Sequence, residues 1–254
     1  MNKMLNKIIE NKRKEVEINK KKYPLSSFND EIVNSERDFK KAISKDKLNL
    51  IAEFKRNSPS KSINDKQYDI KTIINIYNQY ADAISVLTDN RFFSGSLNDM
   101  KEVSKLTELP ILRKDFIIDE YQIYEARFHN ADAILLIASI LSIEQINHFI
   151  DIAKSMNMNC LVEAHNEEEL NKVFDTDAEI IGINNRNLDT LEIDLNTTLK
   201  LADKIPSDKI IVSESGIKDN IHVNKIRNKV NAILVGSAFM NSANIENGII
   251  RLIQ

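Results

Sequence analysis

The sequence predicts an α/β chain folded as a (β/α)8 TIM barrel with an N-terminal helical extension, and three observations carry that reading. Eight short apolar runs, centred near Ile51, Ile84, Ile111, Leu135, Leu161, Ile181, Ile211 and Leu234, recur along the chain. Their repeat averages about 26 residues, the size of one strand-helix unit in such a barrel. Between consecutive runs the apolar residues return at helical spacing: Ile70, Ile73, Ile74 and Tyr77 form one face, and Ile143, Ile146, Phe149, Ile150 and Ala153 another. Finally, Ala81-Asp82-Ala83-Ile84 returns as Ala131-Asp132-Ala133-Ile134, marking one strand-start position in two units. The competing topology is an open doubly wound sheet. It would be favoured by a Gly-x-Gly-x-x-Gly turn after the first strand, but Phe54-Lys55-Arg56-Asn57-Ser58 contains no glycine.

Residues 1 to about 46 precede the first strand and read as the helical extension of a single barrel domain spanning residues 1–254. Leu5, Ile8, Ile9 and Val16, with Lys and Glu between them, predict a narrow amphipathic helix ending before Tyr23-Pro24. Capping the barrel is its expected role, with contact to a partner protein as the alternative. Lys12-Arg13-Lys14 and Lys20-Lys21-Lys22 read as solvated helix face. From there each strand ends in polar residues. Ile51-Ala52-Glu53-Phe54-Lys55 is the first, then Ile111-Leu112-Arg113-Lys114-Asp115-Phe116 and Leu161-Val162-Glu163. Gly182-Ile183-Asn184-Asn185-Arg186, Ile211-Val212-Ser213-Glu214-Ser215-Gly216 and Ile233-Leu234-Val235-Gly236-Ser237 continue the series. Only five glycines occur, so Asn130 and Asn159 are expected to take left-handed turn positions, while Gly182, Gly216 and Gly236 are expected where a ligand approaches the backbone.

The bulk composition narrows the function. The chain of 254 residues has a net charge of −3 with 29% charged residues, so no global field favours nucleic acid or membrane. Cys160 is the only cysteine, so no intramolecular disulfide can form, which suits a cytoplasmic protein; at a strand start it reads as core. His129, His148, His165 and His222 stand singly, without metal-ligand spacing, and His165 reads as a loop residue. Neither a membrane span nor a targeting segment is legible. The expected partner is a small phosphorylated molecule, with no metal or other cofactor, and the expected assembly a monomer or weak homodimer.

Charges at the ends of apolar strands are expensive to bury singly. In a barrel those ends form the functional face. Glu53, Lys55, Lys114, Glu163, Asn184, Arg186, Glu214 and Ser215 therefore converge on one mouth, where paired carboxylates and ammonium groups suit general acid-base chemistry. A set of ion pairs closing the barrel's upper layer is the structural alternative. Ser215-Gly216 and Gly236-Ser237 follow strands seven and eight, where barrels commonly bind phosphate, and Ala238-Phe239-Met240 reads as the start of a short helix.

The segments IAEFKRNSPS (51–60), ISVLT (84–88), ILRKDF (111–116), IGINNRNL (181–188), SESGI (213–217) and LVGS (234–237) closely resemble the indole-3-glycerol phosphate synthase family, in order and spacing, from about residue 3 to the C-terminus. The resemblance implies a (β/α)8 barrel with an N-terminal helical extension that closes the indole ring in tryptophan biosynthesis. It makes Lys114 the general acid that protonates the substrate carbonyl and Glu163 the group of the later proton transfers. Glu53 and Lys55 match the first-strand catalytic pair, and Asn184 and Ser215 its supporting polar residues. Lys55, Gly216, Gly236 and Ser237 would hold phosphate, Ser58 and Arg186 the anthranilate carboxylate region, and Glu214 would line the substrate. Phe93 and Phe116 would pack on the ring, with Leu135 as apolar wall. Ser62 stands where the family has glycine after its SPSK segment, and Asn130 and Asp177 replace glycines before strands four and six. The residues by themselves also admit a sugar-phosphate isomerase, a Schiff-base aldolase using Lys114, or a non-catalytic barrel that binds a partner enzyme.

Overall fold

The computed structural model describes residues 3–55, 69–188, 190–240, 242 and 244–253. Among them, eight parallel strands pair in sequence order and close into a barrel: β1 (Asn49–Phe54), β2 (Ala83–Leu87), β3 (Ile111–Lys114), β4 (Ala133–Ile137), β5 (Asn159–Ala164), β6 (Ile180–Asn184), β7 (Ile210–Glu214) and β8 (Ala232–Val235). Every expected strand centre falls within one of them. The runs read as continuously apolar because both strand faces are buried. Ile51, Ala83, Leu112, Leu135, Leu161, Val212 and Leu234 fill the interior, while Ile84, Val86, Ile134 and Val162 belong to the outer layer under the helices. The register pairs Ile51 with Ala83 on one side and with Leu234 on the other.

A helix follows each strand: α2 (Ile70–Tyr80), α3 (Leu97–Ser104), α4 (Tyr121–Phe128), α5 (Ile143–Ser155), α6 (Glu167–Phe174), α7 (Asn196–Ala202), α8 (Asn220–Ile226) and α9 (Ile245–Ile253); α1 (Lys3–Lys22) precedes the barrel. Side-chain caps start many of them. Asp69 accepts from Thr72 N–H, and Ser142 with Gln145 forms a reciprocal capping box. The repeated Ala-Asp-Ala-Ile segment has a local cause. Asp82 accepts from Leu50 N–H at 3.0 Å and Asp132 from Ile111 N–H at 2.8 Å. Each thereby satisfies the backbone of the preceding strand at the barrel bottom, and Asn231 does the same for Ile211 at 2.8 Å. Among the described residues no helix is long and apolar enough to cross a membrane.

The N-terminal extension divides its contacts between the two ends of the barrel. The long helix α1 does not close the bottom; it lies against the loops past β2 and β3, where Asn11 accepts from Arg91 and Lys20 pairs with Asp119, and Val16 meets Phe28 and Tyr121. The bottom is closed instead by the one-turn helix Phe39–Ala42, whose Phe39, with Ile43 just after it, lies fully buried in the interior cluster with Ile51 and Leu112. Nor is Lys12 solvated. It is 1% exposed, its ammonium 2.9 Å from Asp115 and 3.0 Å from Asp89, just past β3 and β2. Asn130 takes the left-handed conformation expected of it (φ 66°), but Asn159 lies extended in β5, and the left-handed residue there is Asn157 (φ 56°). Ser58 and Ser62 lie outside the described residues.

Candidate active site

The pleat sets which strand-end residues meet. Inward positions alternate with outward ones, so Glu53 shares the interior face with Ile51, and Lys114 with Leu112. Arg113, between them, points out and pairs with Asp115 and Glu125 at 3.1 and 3.0 Å. At the upper rim, Lys114 Nζ lies 2.5 Å from Glu214 Oε2 and 3.4 Å from Glu163 Oε2, joining β3, β7 and β5. Lys55 Nζ lies 2.8 Å from Glu53 Oε1 and donates to Ser237 Oγ at 2.8 Å, joining the ends of β1 and β8. Two ammonium groups and three carboxylates thus occupy one nearly buried layer.

Charge coupling decides the protonation states. Burial alone would lower the Lys114 pKa, but Glu214, Glu163 and Glu53 together hold it well above the usual lysine value. Burial favours the acid form of Glu163, yet Lys114, His165 and Asn184 pull its pKa well below the usual carboxylate range. Glu53 is likewise lowered against its burial, by Lys55 and then Lys114. Glu214 goes the other way: burial, opposed by Lys114 and helped by the negative charge of Glu163, pushes it up to about 7. The mouth therefore favours a charged Lys114 ammonium, an ionised Glu163 and one carboxyl, Glu214, that titrates nearer neutrality.

The remaining candidates surround this layer. Asn184 ends β6, and its Oδ1 accepts from Arg186 N–H at 3.0 Å. The Arg186 guanidinium donates to Leu191 O at 3.2 Å, bracing its own loop. Ser215 (φ 65°) and Gly216 (φ 80°) turn the chain out of β7. Phe93 and Phe116 face each other across the rim, ring centroids 6.4 Å apart. Leu135 faces inward opposite Leu161, and the next inward β4 residue, Ile137, is registered with Glu163. Two of the glycines, expected where a ligand approaches, lie against protein carboxylates. A Cβ on Gly236 would sit 2.4 Å from Glu53 Oε1, and one on Gly182 would sit 2.3 Å from Glu214 Oε1.

Comparison with known proteins agrees with this geometry. A family profile described as indole-3-glycerol phosphate synthase matches residues 5–252. The chain belongs to the indole-3-glycerol phosphate synthase family. It is 49% identical to the indole-3-glycerol phosphate synthase of Endomicrobium trichonymphae over 82% of this chain and 81% of that one. The synthase of Caldanaerobacter subterraneus subsp. tengcongensis is 46% identical over 93% of both. The tryptophan biosynthesis protein TrpCF of Vibrio cholerae is 41% identical over all of this chain, which spans 54% of that protein's length. Among solved structures, 3-hexulose-6-phosphate synthase from Salmonella typhimurium superposes with a TM-score of 0.64 over 82% of this chain and 97% of that one; at 12% identity it shows the shared fold.

Two residues around the synthase-family site escaped the sequence reading. Asn185 is 2% exposed, and its amide donates to Ser213 Oγ, Glu214 O and Ser215 O while its Oδ1 accepts from Thr198. It ties the β6 loop to the turn after β7. His165 lies in the loop after β5, as expected, but its side chain is 5% exposed and its ring sits between Glu163 and Glu169. The signal was its spacing, two residues after Glu163 and four before Glu169.

Proposed function

We propose that this chain is an indole-3-glycerol phosphate synthase, a carbon-carbon carboxy-lyase of tryptophan biosynthesis acting in the cytoplasm, whose barrel-mouth residues perform the acid-base steps. The substrate is 1-(2-carboxyphenylamino)-1-deoxyribulose 5-phosphate; the products are indole-3-glycerol phosphate, CO2 and water. One observation carries the residue assignment: the Lys114 ammonium, ringed by Glu214, Glu163 and Glu53, is held protonated inside a poorly hydrated mouth.

In this reading Lys114 donates its proton to the substrate carbonyl oxygen as the aromatic carbon attacks the carbonyl carbon. Loss of CO2 from that ring carbon then restores aromaticity. Dehydration needs a proton removed and a hydroxyl protonated, and the ionised Glu163 beside Lys114 suits the first role. The phosphate would lie toward Lys55, Ser237, Gly236 and Gly216, where an ammonium and a hydroxyl already sit 2.8 Å apart. The aromatic end would lie against Phe93, Phe116, Leu135 and Ile137, with Arg186 toward its carboxylate, a role the family resemblance also gives Ser58; Asn184 and Ser215 would support the reacting groups. A Schiff-base aldolase would need Lys114 as a free amine, which the three carboxylates oppose. We further propose that the chain is one barrel domain and acts as a monomer or weak homodimer. The test is fluorescence detection of indole-3-glycerol phosphate formed by the purified chain from the ribulotide. No product under conditions where a relative turns over refutes the activity.

A further inference from the structure

Glu163 has a partner on the side facing away from Lys114. His165 follows β5 directly, its Nε2 3.1 Å from Glu163 Oε1 and its Nδ1 2.9 Å from Glu169 Oε2. A neutral imidazole carries one N–H and one lone pair, so one of these carboxylates would then face a lone pair. Only the imidazolium sets positive charge beside both: Nδ1 is hydrogen-bonded to Glu169, while Nε2 stands in ion-pair contact with Glu163 without a directed hydrogen bond. Glu169 is itself fixed on the first turn of α6. Its Oε2 also accepts the His165 backbone N–H at 2.9 Å, and its Oε1 accepts from the Asn166 amide at 2.9 Å. Asn166 in turn caps α6 through Glu169 N–H.

We infer that His165 is a positioning residue for the reaction: an imidazolium anchored on Glu169, it keeps Glu163 ionised and holds its Oε1, leaving Oε2 turned toward Lys114 and the mouth. This rests on the reading of Glu163 as an acid-base group. The other groups facing Glu163 are Lys114 from β3, Asn184 from β6 and Glu214 from β7, with Glu53 of β1 further off and Ile137 registered beside it on β4. His165 thus supplies one of the two cations that flank the carboxylate. Burial alone would discharge the ring, but Glu163 and Glu169 hold its pKa up to about 10.

Two measurements decide it. Imidazole 15N NMR of the full chain, with His165 assigned from His165→Asn, should show both ring nitrogens protonated at pH 8 in the wild type, and proton release at lower pH in Glu169→Gln. A neutral ring at pH 7.5 in the wild type overturns the inference whatever Glu163 does. In the pH profile of kcat/KM, His165→Asn should move the acidic limb up by about one unit or more, a loss of roughly tenfold at the low-pH end against little at pH 8. Glu169→Gln should move it the same way by less, and serves alone if His165→Asn does not fold. An unmoved limb in the folded variants refutes the positioning role while leaving Glu163 in place. Wild-type kcat in Glu163→Gln instead removes the acid-base reading, and the positioning role with it.

Discussion

Replacing Lys12 with methionine should destabilise the protein far more than a helix-surface lysine could. The apolar substitute keeps the volume but strands two carboxylates, Asp89 at 0% and Asp115 at 2% exposure. Asp115 keeps Arg113 at 3.1 Å and the Thr88 hydroxyl at 2.7 Å. Asp89 is worse off: its Oδ1 caps Phe92 N–H at 2.8 Å, but its Oδ2 makes an ion pair with Lys12 alone among the described residues. Removing one member of a buried pair costs about 3–5 kcal/mol. For a chain of this size each kcal/mol lowers Tm by about 2–4 °C, so the drop should be roughly 6–20 °C. Burial alone would raise the Asp115 pKa, but Lys12 and Arg113 hold it well below the usual value. A depressed folded pKa adds stability above the unfolded value of about 3.9 and loses it as pH falls through the folded one. Lys12→Met raises the folded value, so acid unfolding should begin at higher pH. Circular dichroism melts at pH 4 and pH 7 measure both effects. A Tm drop under about 2 °C would show that Lys12 is a solvated lysine after all.

Three further outcomes follow from the site. Gly236→Ala should displace Glu53, whose Oε1, Cβ and Cδ lie 2.4, 2.8 and 3.0 Å from the added carbon, and so reduce kcat as well as raise KM; unchanged steady-state kinetics would mean the clash relaxes harmlessly. Glu163→Gln and Lys55→Ala should each reduce kcat greatly, and the double variant should lose much less than the product of the two, while strictly multiplicative losses would place them in independent steps. His165, whose folded pKa near 10 exceeds the unfolded value of about 6.5, adds stability that is full below about pH 6.5 and lost as pH rises through about 10. The stability gap between wild type and His165→Asn, measured by urea unfolding, should therefore close across that range, and a constant gap would argue for packing alone.

Periodicity made the barrel legible, since doubly buried strands produce apolar runs at a regular interval and inward pleating brings their polar ends together. What stayed hidden was pairing between distant segments. Ile8, Lys12 and Val16 fall four apart, so Lys12 lies on the buried stripe of α1 (Lys3–Lys22), but its counter-charges are about 77 and 103 residues away in sequence, beyond the reach of helix spacing. The sequence marks the glycines as places where a ligand approaches; that Glu53 stands against Gly236 and Glu214 against Gly182 depends on rotamers that no pattern encodes. Leu135 and Ile137 share the inward face, and only strand register shows that Ile137 stands level with Glu163.

The central claim is that Lys114 delivers the proton that starts ring closure, and steady-state turnover of the ribulotide by Lys114→Ala tests it most directly. Removing a general acid lowers kcat by about 10²–10⁴-fold, and KM should change much less. The folded state of the variant is checked by its melt, because the loss frees Glu214 and Glu163 from their shared cation. Loss of kcat within that range at near-constant KM is the predicted result. A folded variant keeping more than about a tenth of wild-type kcat would contradict the assignment.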